Sequence, residues 1–72
     1  MTEQEFLSLL KNDILESDTD FDMKTNLNDI EEWDSLGVIS FIAMGKERGS
    51  IDTKAVHSAT TVEELYTVVK DL

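Results

Sequence analysis

Ser35 is the residue of this sequence whose type and position best suit chemistry, because its hydroxyl group coincides with a predicted helix start. Asp34 and Ser35 are both residue types that cap helix N-termini. Apolar residues follow at helix-like spacing: Val38, Ile39, Phe41, Ile42 and Met44. We expect exposed backbone N–H groups at this helix end, where they and the helix dipole would favour the charge of a phosphodiester on Ser35. The pattern therefore predicts a serine that accepts a phosphate group.

An acidic segment in the first half of the chain resembles part of a calcium-binding loop. Asp18, Asp20 and Asp22 match ligand positions one, three and five of that loop. Position six is Met23 instead of the glycine that the turn needs, and position twelve is Asp29 instead of a bidentate glutamate. The pattern indicates adventitious divalent-ion binding by an acidic loop, and no dedicated metal site is predicted.

The catalytic alternatives have little support in the sequence. His57 is the only imidazole. The sequence has no cysteine or second histidine that could complete a metal site with it, and no plausible nucleophile stands beside it in sequence. We interpret it as a surface or packing histidine. Nothing around Ser35 resembles a nucleophile elbow, and 72 residues leave little room for a pocket. The sequence therefore favours a protein that is not an enzyme.

Acidic charge is concentrated before and around Ser35. The formal net charge is −10, of which residues 1–36 carry −9 and residues 37–72 carry −1. This balance argues against nucleic-acid binding, which needs basic patches, and favours protein partners with basic surfaces. We expect Glu31, Glu32 and Asp34 to contact such partners.

Composition also limits the setting in which the protein works. The chain has no cysteine, so any reactive thiol must be added, and a reducing compartment is suitable. No apolar run approaches the roughly 20 residues that span a bilayer, and the first residues lack the basic start of a signal peptide. We expect a soluble, cytoplasmic protein without a membrane span.

The elements before Ser35 are predicted to be one helix and one long loop. Thr2 and Glu5 form a capping-box pattern ahead of an apolar stripe, which predicts a helix over about residues 3–16. Residues 17–34 are predicted to form a long ordered loop, with Trp33 anchoring its end. Four other apolar side chains are expected to fix this loop to the bundle: Phe21, Met23, Leu27 and Ile30.

Three helical segments are predicted from Ser35 onwards. The first covers residues 35–48, where Gly49 and Ser50 supply a stop. Residues 51–57 are predicted to form a short helical turn with Ile51 and Val56 facing inward. Thr61 and Glu64 form a second capping-box pattern, and the apolar spacing continues to Leu72. The sequence thus predicts one domain, residues 1–72, with an all-α fold: a small bundle of three main helices plus one short helix.

The Asp34-Ser35-Leu36 motif in the middle of a small, acidic, cysteine-free helical chain resembles the modification site of the acyl carrier protein family. The resemblance spans nearly the whole chain and includes Ile51 and the sequence from Thr61 to Leu65. It implies that Ser35 carries covalent 4′-phosphopantetheine, whose thiol holds an acyl group as a thioester. The implied partners of this monomeric carrier are a phosphopantetheinyl transferase and acyl- or aminoacyl-loading and transfer enzymes with basic docking patches.

The resemblance also implies roles for the neighbours of Ser35 and leaves alternatives open. Asp34 would cap the helix, Leu36 would hold the helix start or meet the transferase, and Gly37 would leave space beside the arm. An aminoacyl or peptidyl carrier would use the same arm, although most peptidyl carriers have a glycine-rich, histidine-containing motif. The competing class is a small acidic interaction module without a prosthetic group.

The predicted second helix differs from that of typical fatty-acid carriers, which have a row of outward acids there. The matching positions are Gly37, Ser40 and Lys46, and Glu47 is the only acid left. The formal charge of residues 35–48 is +1. We therefore expect a specialised carrier whose dedicated loading enzyme recognises loop residues or apolar positions such as Val38 and Phe41.

Overall fold

Helices make up the regular structure of this protein. The computed structural model describes residues 1–18 and 20–70. It contains α1 (Glu3–Ser8), which continues as a π-helical segment (Leu9–Ile14), then α2 (Ser35–Arg48), α3 (Thr53–Ser58) and α4 (Val62–Val69). The predicted all-α class is confirmed. Among the described residues, no helix is long and apolar enough to cross a membrane.

The start of α1 is as predicted, but its end is not. The Thr2 hydroxyl accepts from the Glu5 amide at 3.1 Å, and the Glu5 carboxylate accepts from the Thr2 amide at 3.0 Å, so the capping box is confirmed. The helical structure ends at Ile14, two residues before the predicted end near residue 16, and its second half is π-helical. The Leu15 amide donates to the Leu10 carbonyl at 2.9 Å, which closes a π-type turn, and Glu16 adopts φ 49°. This left-handed conformation ends the helix.

The long loop before α2 is ordered by apolar contacts, as predicted. Leu27 and Ile30 are buried, while Phe21 and Met23 are partly buried against the core. Within the loop, Leu27–Asp29 form a 3₁₀ turn capped by the side chain of Asn26, which the sequence prediction did not include. The loop is therefore part of the bundle and not a loose connection.

Hydrogen bonds also join this loop to the beginning of α4. The Leu27 amide donates to the Thr60 carbonyl at 2.9 Å. In the other direction, the Val62 amide donates to the Thr25 carbonyl at 3.1 Å, and the Glu63 amide donates to the Met23 carbonyl at 2.8 Å. Orphan donors of the first turn of α4 are thus satisfied by loop carbonyls.

The helix that begins at Ser35 has the predicted bounds, Ser35–Arg48. Its end coincides with Gly49, whose φ of 151° is a conformation that favours glycine. Phe41 lies at the centre of the core, where its ring meets that of Phe6 edge to face at 6.2 Å. The fully or nearly fully buried apolar residues around this pair are Leu10, Leu15, Leu27, Ile30, Val56, Val62, Leu65 and Val69.

The last two helices correspond to the predicted segments with small differences. The short helix α3 begins two residues later than predicted because the Asp52 carboxylate caps it, and Val56 faces the core. Thr61 caps α4, but the predicted capping box is wrong in part: the Glu64 carboxylate bonds to the amide and hydroxyl of Thr60. The predicted continuation of this helix to Leu72 lies outside the described residues.

Candidate functional site

Ser35 is the exposed first residue of α2, and the backbone donors next to it are occupied. Asp34 Oδ1 accepts from the Leu36 amide at 3.0 Å and from the Gly37 amide at 3.1 Å. The Val38 amide donates to the Asp34 carbonyl at 3.0 Å. The predicted Asp34 cap is thus confirmed. The expectation of unoccupied N–H groups beside the hydroxyl is wrong for Leu36, Gly37 and Val38. Asp34 accepts hydrogen bonds from all three of these amides.

A shallow apolar groove begins at Ser35 and runs between α2 and α3. It has a volume of about 390 Å³ and is lined by Ser35, Val38, Ile39, Ile42 and His57. His57 is exposed, which agrees with its interpretation as a surface histidine. The sequence did not predict that His57 lies beside Ser35, because the two residues are 22 positions apart and their sequence does not show how α3 packs on α2. A group attached to Ser35 would begin in this groove.

Two large apolar side chains of α2 face solvent next to the site. Leu36 is 72% exposed and Ile39 is 62% exposed. Phe41 is completely buried, so the expectation that a partner recognises this residue is wrong. Val38 is partly buried and reaches the surface only as a wall of the groove. The apolar surface that α2 offers to a partner is therefore formed first by Leu36 and Ile39.

Gly37 faces the inside of the protein, so it neither makes space for an arm on Ser35 nor forms an outward position, and both expectations for it are corrected. A Cβ atom on Gly37 would lie 2.5 Å from the Glu32 carbonyl oxygen and 2.9 Å from Leu15 Cδ2. The glycine thus lets the first turn of α2 lie directly on the preceding loop. It is not an outward position of the helix, whereas Ser40, Lys46 and Glu47 are exposed.

The three acids that were expected to contact partners differ in their surroundings. Glu31 is exposed. Glu32 is half-buried, and its carboxylate accepts from the Ser17 hydroxyl at 2.8 Å. The Asp34 carboxylate is exposed but serves as the helix cap. Glu31 is consequently the acid of this group whose side chain is most open to a partner.

Trp33 anchors the end of the loop, as predicted. Its ring meets the Phe41 ring edge to face at 5.8 Å. Its amide donates to the Ile30 carbonyl at 3.0 Å, which closes a turn immediately before the site. Trp33, directly before Asp34, is therefore tied to the core by its ring and to the loop by its amide.

The acids of the possible calcium loop make separate local contacts. Asp20 pairs with Lys11, and the hydrogen bond and charge of Lys11 lower the pKa of Asp20. The Asp22 carboxylate accepts from the Lys24 amide at 2.9 Å and from the Thr25 hydroxyl at 3.2 Å. Across the described ranges, no three histidine, cysteine or acidic side chains converge on a position for a metal ion.

Chemically, the site offers one accessible hydroxyl group at the positive end of a helix, beside an apolar groove. Such a hydroxyl can act as the acceptor of a group that an enzyme transfers to it. Comparisons of this chain with protein-family models, with curated proteins and with solved structures find no match. A functional assignment therefore depends on the residues around Ser35.

Proposed function

We propose that this protein is an acyl carrier in which Ser35 bears a 4′-phosphopantetheine arm. The observation that carries the proposal is an exposed serine hydroxyl on the first residue of a 14-residue helix, opening into an apolar groove. This observation agrees with the sequence feature behind the proposal, which is the Asp-Ser-Leu motif around that serine in a small acidic helical chain. The arm, when attached, supplies the thiol that this cysteine-free chain lacks.

The surroundings of Ser35 suit a covalent phosphodiester. The hydroxyl is open to solvent, so a transferase can reach it without unfolding the loop. The carboxylate of the adjacent Asp34 already accepts from two backbone amides, which stabilises its charge. The positive end of the α2 dipole favours an anion at this position even though those amides are occupied. These features support an arm at Ser35 without requiring free backbone donors.

Attachment of the arm is a phosphoryl transfer to Ser35. The Ser35 Oγ atom would attack the phosphorus of coenzyme A that bears the pantetheine, and a new O–P bond would form. The P–O bond to the second phosphate would break, adenosine 3′,5′-bisphosphate would leave, and the hydroxyl proton would pass to a base of the transferase. The carrier supplies the hydroxyl and its position, while the transferase supplies the catalytic groups.

The carrier works by presenting its load and not by catalysing a reaction. A tether on Ser35 raises the effective concentration of the carried group at an enzyme that has bound the domain. Leu36 and Ile39 offer exposed apolar surface for that binding, and Glu31 offers an exposed acid for a basic partner patch. The partners would be a phosphopantetheinyl transferase and acyl- or aminoacyl-loading and transfer enzymes.

The exposed surface of α2 favours a specialised pathway over general fatty acid synthesis. Ser40, Lys46 and Glu47 are exposed on this helix. Of these three positions, one is acidic, one is basic and one is neutral. A basic docking patch would gain little from these positions and would be repelled by Lys46. Specialised acyl or aminoacyl transfer, for example in polysaccharide or natural-product assembly, is the context that we propose.

The test is incubation with coenzyme A and a permissive phosphopantetheinyl transferase, followed by intact-mass measurement. We expect the addition of one phosphopantetheine group to the wild type and none to Ser35→Ala. Ser40→Ala is the matched control, because Ser40 is also an exposed serine of α2 and should leave the addition unchanged. Addition at another residue, or none in the wild type, would contradict the carrier function and favour the interaction module.

A further inference from the structure

Ser17 is the one buried polar residue in the described core, and it contacts the loop that leads to Ser35. Its side chain is 6% exposed, and its hydroxyl donates to Glu32 Oε1 at 2.8 Å. The Ser17 amide donates to the Lys11 carbonyl at 2.8 Å, so the main chain of Ser17 is fixed to the π-helical segment. A partly buried hydrogen bond to a carboxylate is stronger than a neutral one.

The main chain of Glu32 is held from the opposite side. The first turn of α2 lies so close to the Glu32 carbonyl that residue 37 has no room for a Cβ atom. The next residue, Trp33, is fixed by its ring against Phe41 and by its amide on Ile30. Glu32 is therefore clamped between the end of the first helix and the start of α2, three positions before the candidate serine.

We propose that the Ser17–Glu32 hydrogen bond positions the Asp34-Ser35 turn for arm transfer, so that Ser17 and Glu32 are positioning residues for the modification of Ser35. This inference rests on the proposed carrier function. Transfer requires the Ser35 hydroxyl to approach phosphorus in line, and a fixed turn limits the orientations that the transferase must select. Loss of the hydrogen bond would leave a half-buried carboxylate without its Ser17 donor and would loosen the turn.

The test compares Ser17→Ala, Ser17→Thr and Glu32→Ala with the wild type in transfer from coenzyme A, at a temperature where every variant is folded. Glu32→Ala should match Ser17→Ala, because it removes the same hydrogen bond. We expect Ser17→Ala to reduce kcat about tenfold, with a smaller change in KM. Ser17→Thr keeps the hydroxyl and should restore most of the rate. Glu31→Gln is the control for charge alone, because Glu31 is exposed, and it should change KM more than kcat.

Amide exchange supplies a second measurement with an internal reference. Asp52 caps the Lys54 and Ala55 amides of α3 in the way that Asp34 caps those of Leu36 and Gly37. We expect Ser17→Ala to accelerate exchange at Leu36 and Gly37 and to leave the α3 pair unchanged. A uniform acceleration would indicate a general loss of stability and would contradict a positioning role.

The outcomes separate this inference from the carrier function. If the wild type is modified and Ser17→Ala is modified at the same kcat, the positioning role is overturned while the carrier function stands. If the wild type is not modified by any permissive transferase, both are overturned. A double variant, Ser17→Ala with Glu32→Ala, should lose no more rate than the more impaired of the two single variants, because both changes remove the same hydrogen bond. Additive losses would contradict the inference.

Discussion

Replacement of Gly37 by alanine tests how closely α2 lies on the loop that precedes the candidate site. The added Cβ atom would lie 2.5 Å from the Glu32 carbonyl oxygen and 2.9 Å from Leu15 Cδ2. Cβ atoms in proteins essentially never approach another heavy atom more closely than 3.0 Å. The Leu15 side chain can move, but the Glu32 carbonyl belongs to a main chain that is held by its neighbours on both sides. The contact must therefore be relieved by a shift of the loop or of α2.

Two opposing effects determine the size of the change. Alanine is favoured over glycine inside a helix by about 1 kcal/mol. Overpacking costs about 1–3 kcal/mol, and a backbone obstacle places this site at the upper end, about 3 kcal/mol. The net expectation is a loss of about 2 kcal/mol in the free energy of unfolding. For a domain of this size, that loss corresponds to a decrease of about 10–15 °C in Tm.

Gly45→Ala is the matched control because both variants gain the same helix propensity. A Cβ atom on Gly45 would meet the Cδ1 end of Ile51, with Ile51 Cβ and Cγ1 at 3.1 Å. Ile51 is half-exposed and its side chain can turn towards solvent, so relief is easier than at Gly37. Thermal and urea unfolding of the two variants should give a loss for Gly45→Ala that is less than half of the loss for Gly37→Ala.

The reasoning would be refuted by a Gly37→Ala variant that is as stable as the wild type or more stable. Helix propensity would then exceed the steric cost, and the first turn of α2 would not lie against the Glu32 carbonyl. Equal losses in the two variants would also contradict it, because they would remove the distinction between a backbone obstacle and a side-chain obstacle.

Three further predictions concern charge, pH and pathway. Glu31→Lys should lower kcat/KM for transfer by an enzyme with a basic docking patch. The wild-type kcat/KM should decrease as ionic strength is raised. Kinetics that respond to neither change would show that the acidic residues form only a solvated surface. Hydrogen bonds from Thr2 lower the pKa of Glu5 from its ordinary value of 4.5, so its contribution to stability is present above pH 4.5 and is lost as pH falls through the lower folded value. Glu5→Gln should therefore lower the urea midpoint at pH 7 and should have less effect at a pH low enough to protonate the Glu5 carboxyl in the folded protein. Supplied as the sole carrier to a reconstituted fatty acid elongation cycle, the modified protein should not support efficient multi-round elongation; efficient elongation would refute specialisation.

Local signals in the sequence were sufficient to predict a helix boundary where residues next to that boundary form its cap or its stop. The bounds of α2 follow from the Asp34 cap and the Gly49 stop, both of which are short-range features. The Thr2 capping box is of the same kind. These signals do not depend on what the helix later packs against, so they could be found before the fold was known.

The end of the first helix depends instead on packing between distant segments. Leu10 and Leu15 are both buried, but in a regular α-helix residues five apart point about 140° away from each other. A π-type turn between them brings the two side chains towards one face. The sequence contains the two leucines but does not show that the same core needs both.

The inward orientation of Gly37 could have been predicted from the sequence. Gly37, Phe41 and Gly45 recur every four residues and are the buried residues of α2. This spacing indicates one inward stripe, on which glycines permit close approach of neighbouring segments. The place of His57 beside the groove, by contrast, required the packing of α3 on α2 and had no signal in the sequence.

The hydrogen bonds between the long loop and α4 have a consequence for the order of folding. The Val62 and Glu63 amides reach carbonyls on Thr25 and Met23, so these contacts close a long stretch of intervening chain that includes all of α2. Contacts that close long segments form late, since the entropy of closure is lost before the contacts stabilise the chain. The loop and the start of α4 should therefore reach their native arrangement in one late step. The Ser35 turn is held by contacts that span fewer residues, from Ser17 to Glu32 and from Trp33 to Phe41. A chain whose loop has not yet joined α4 could therefore already present a native turn at Ser35.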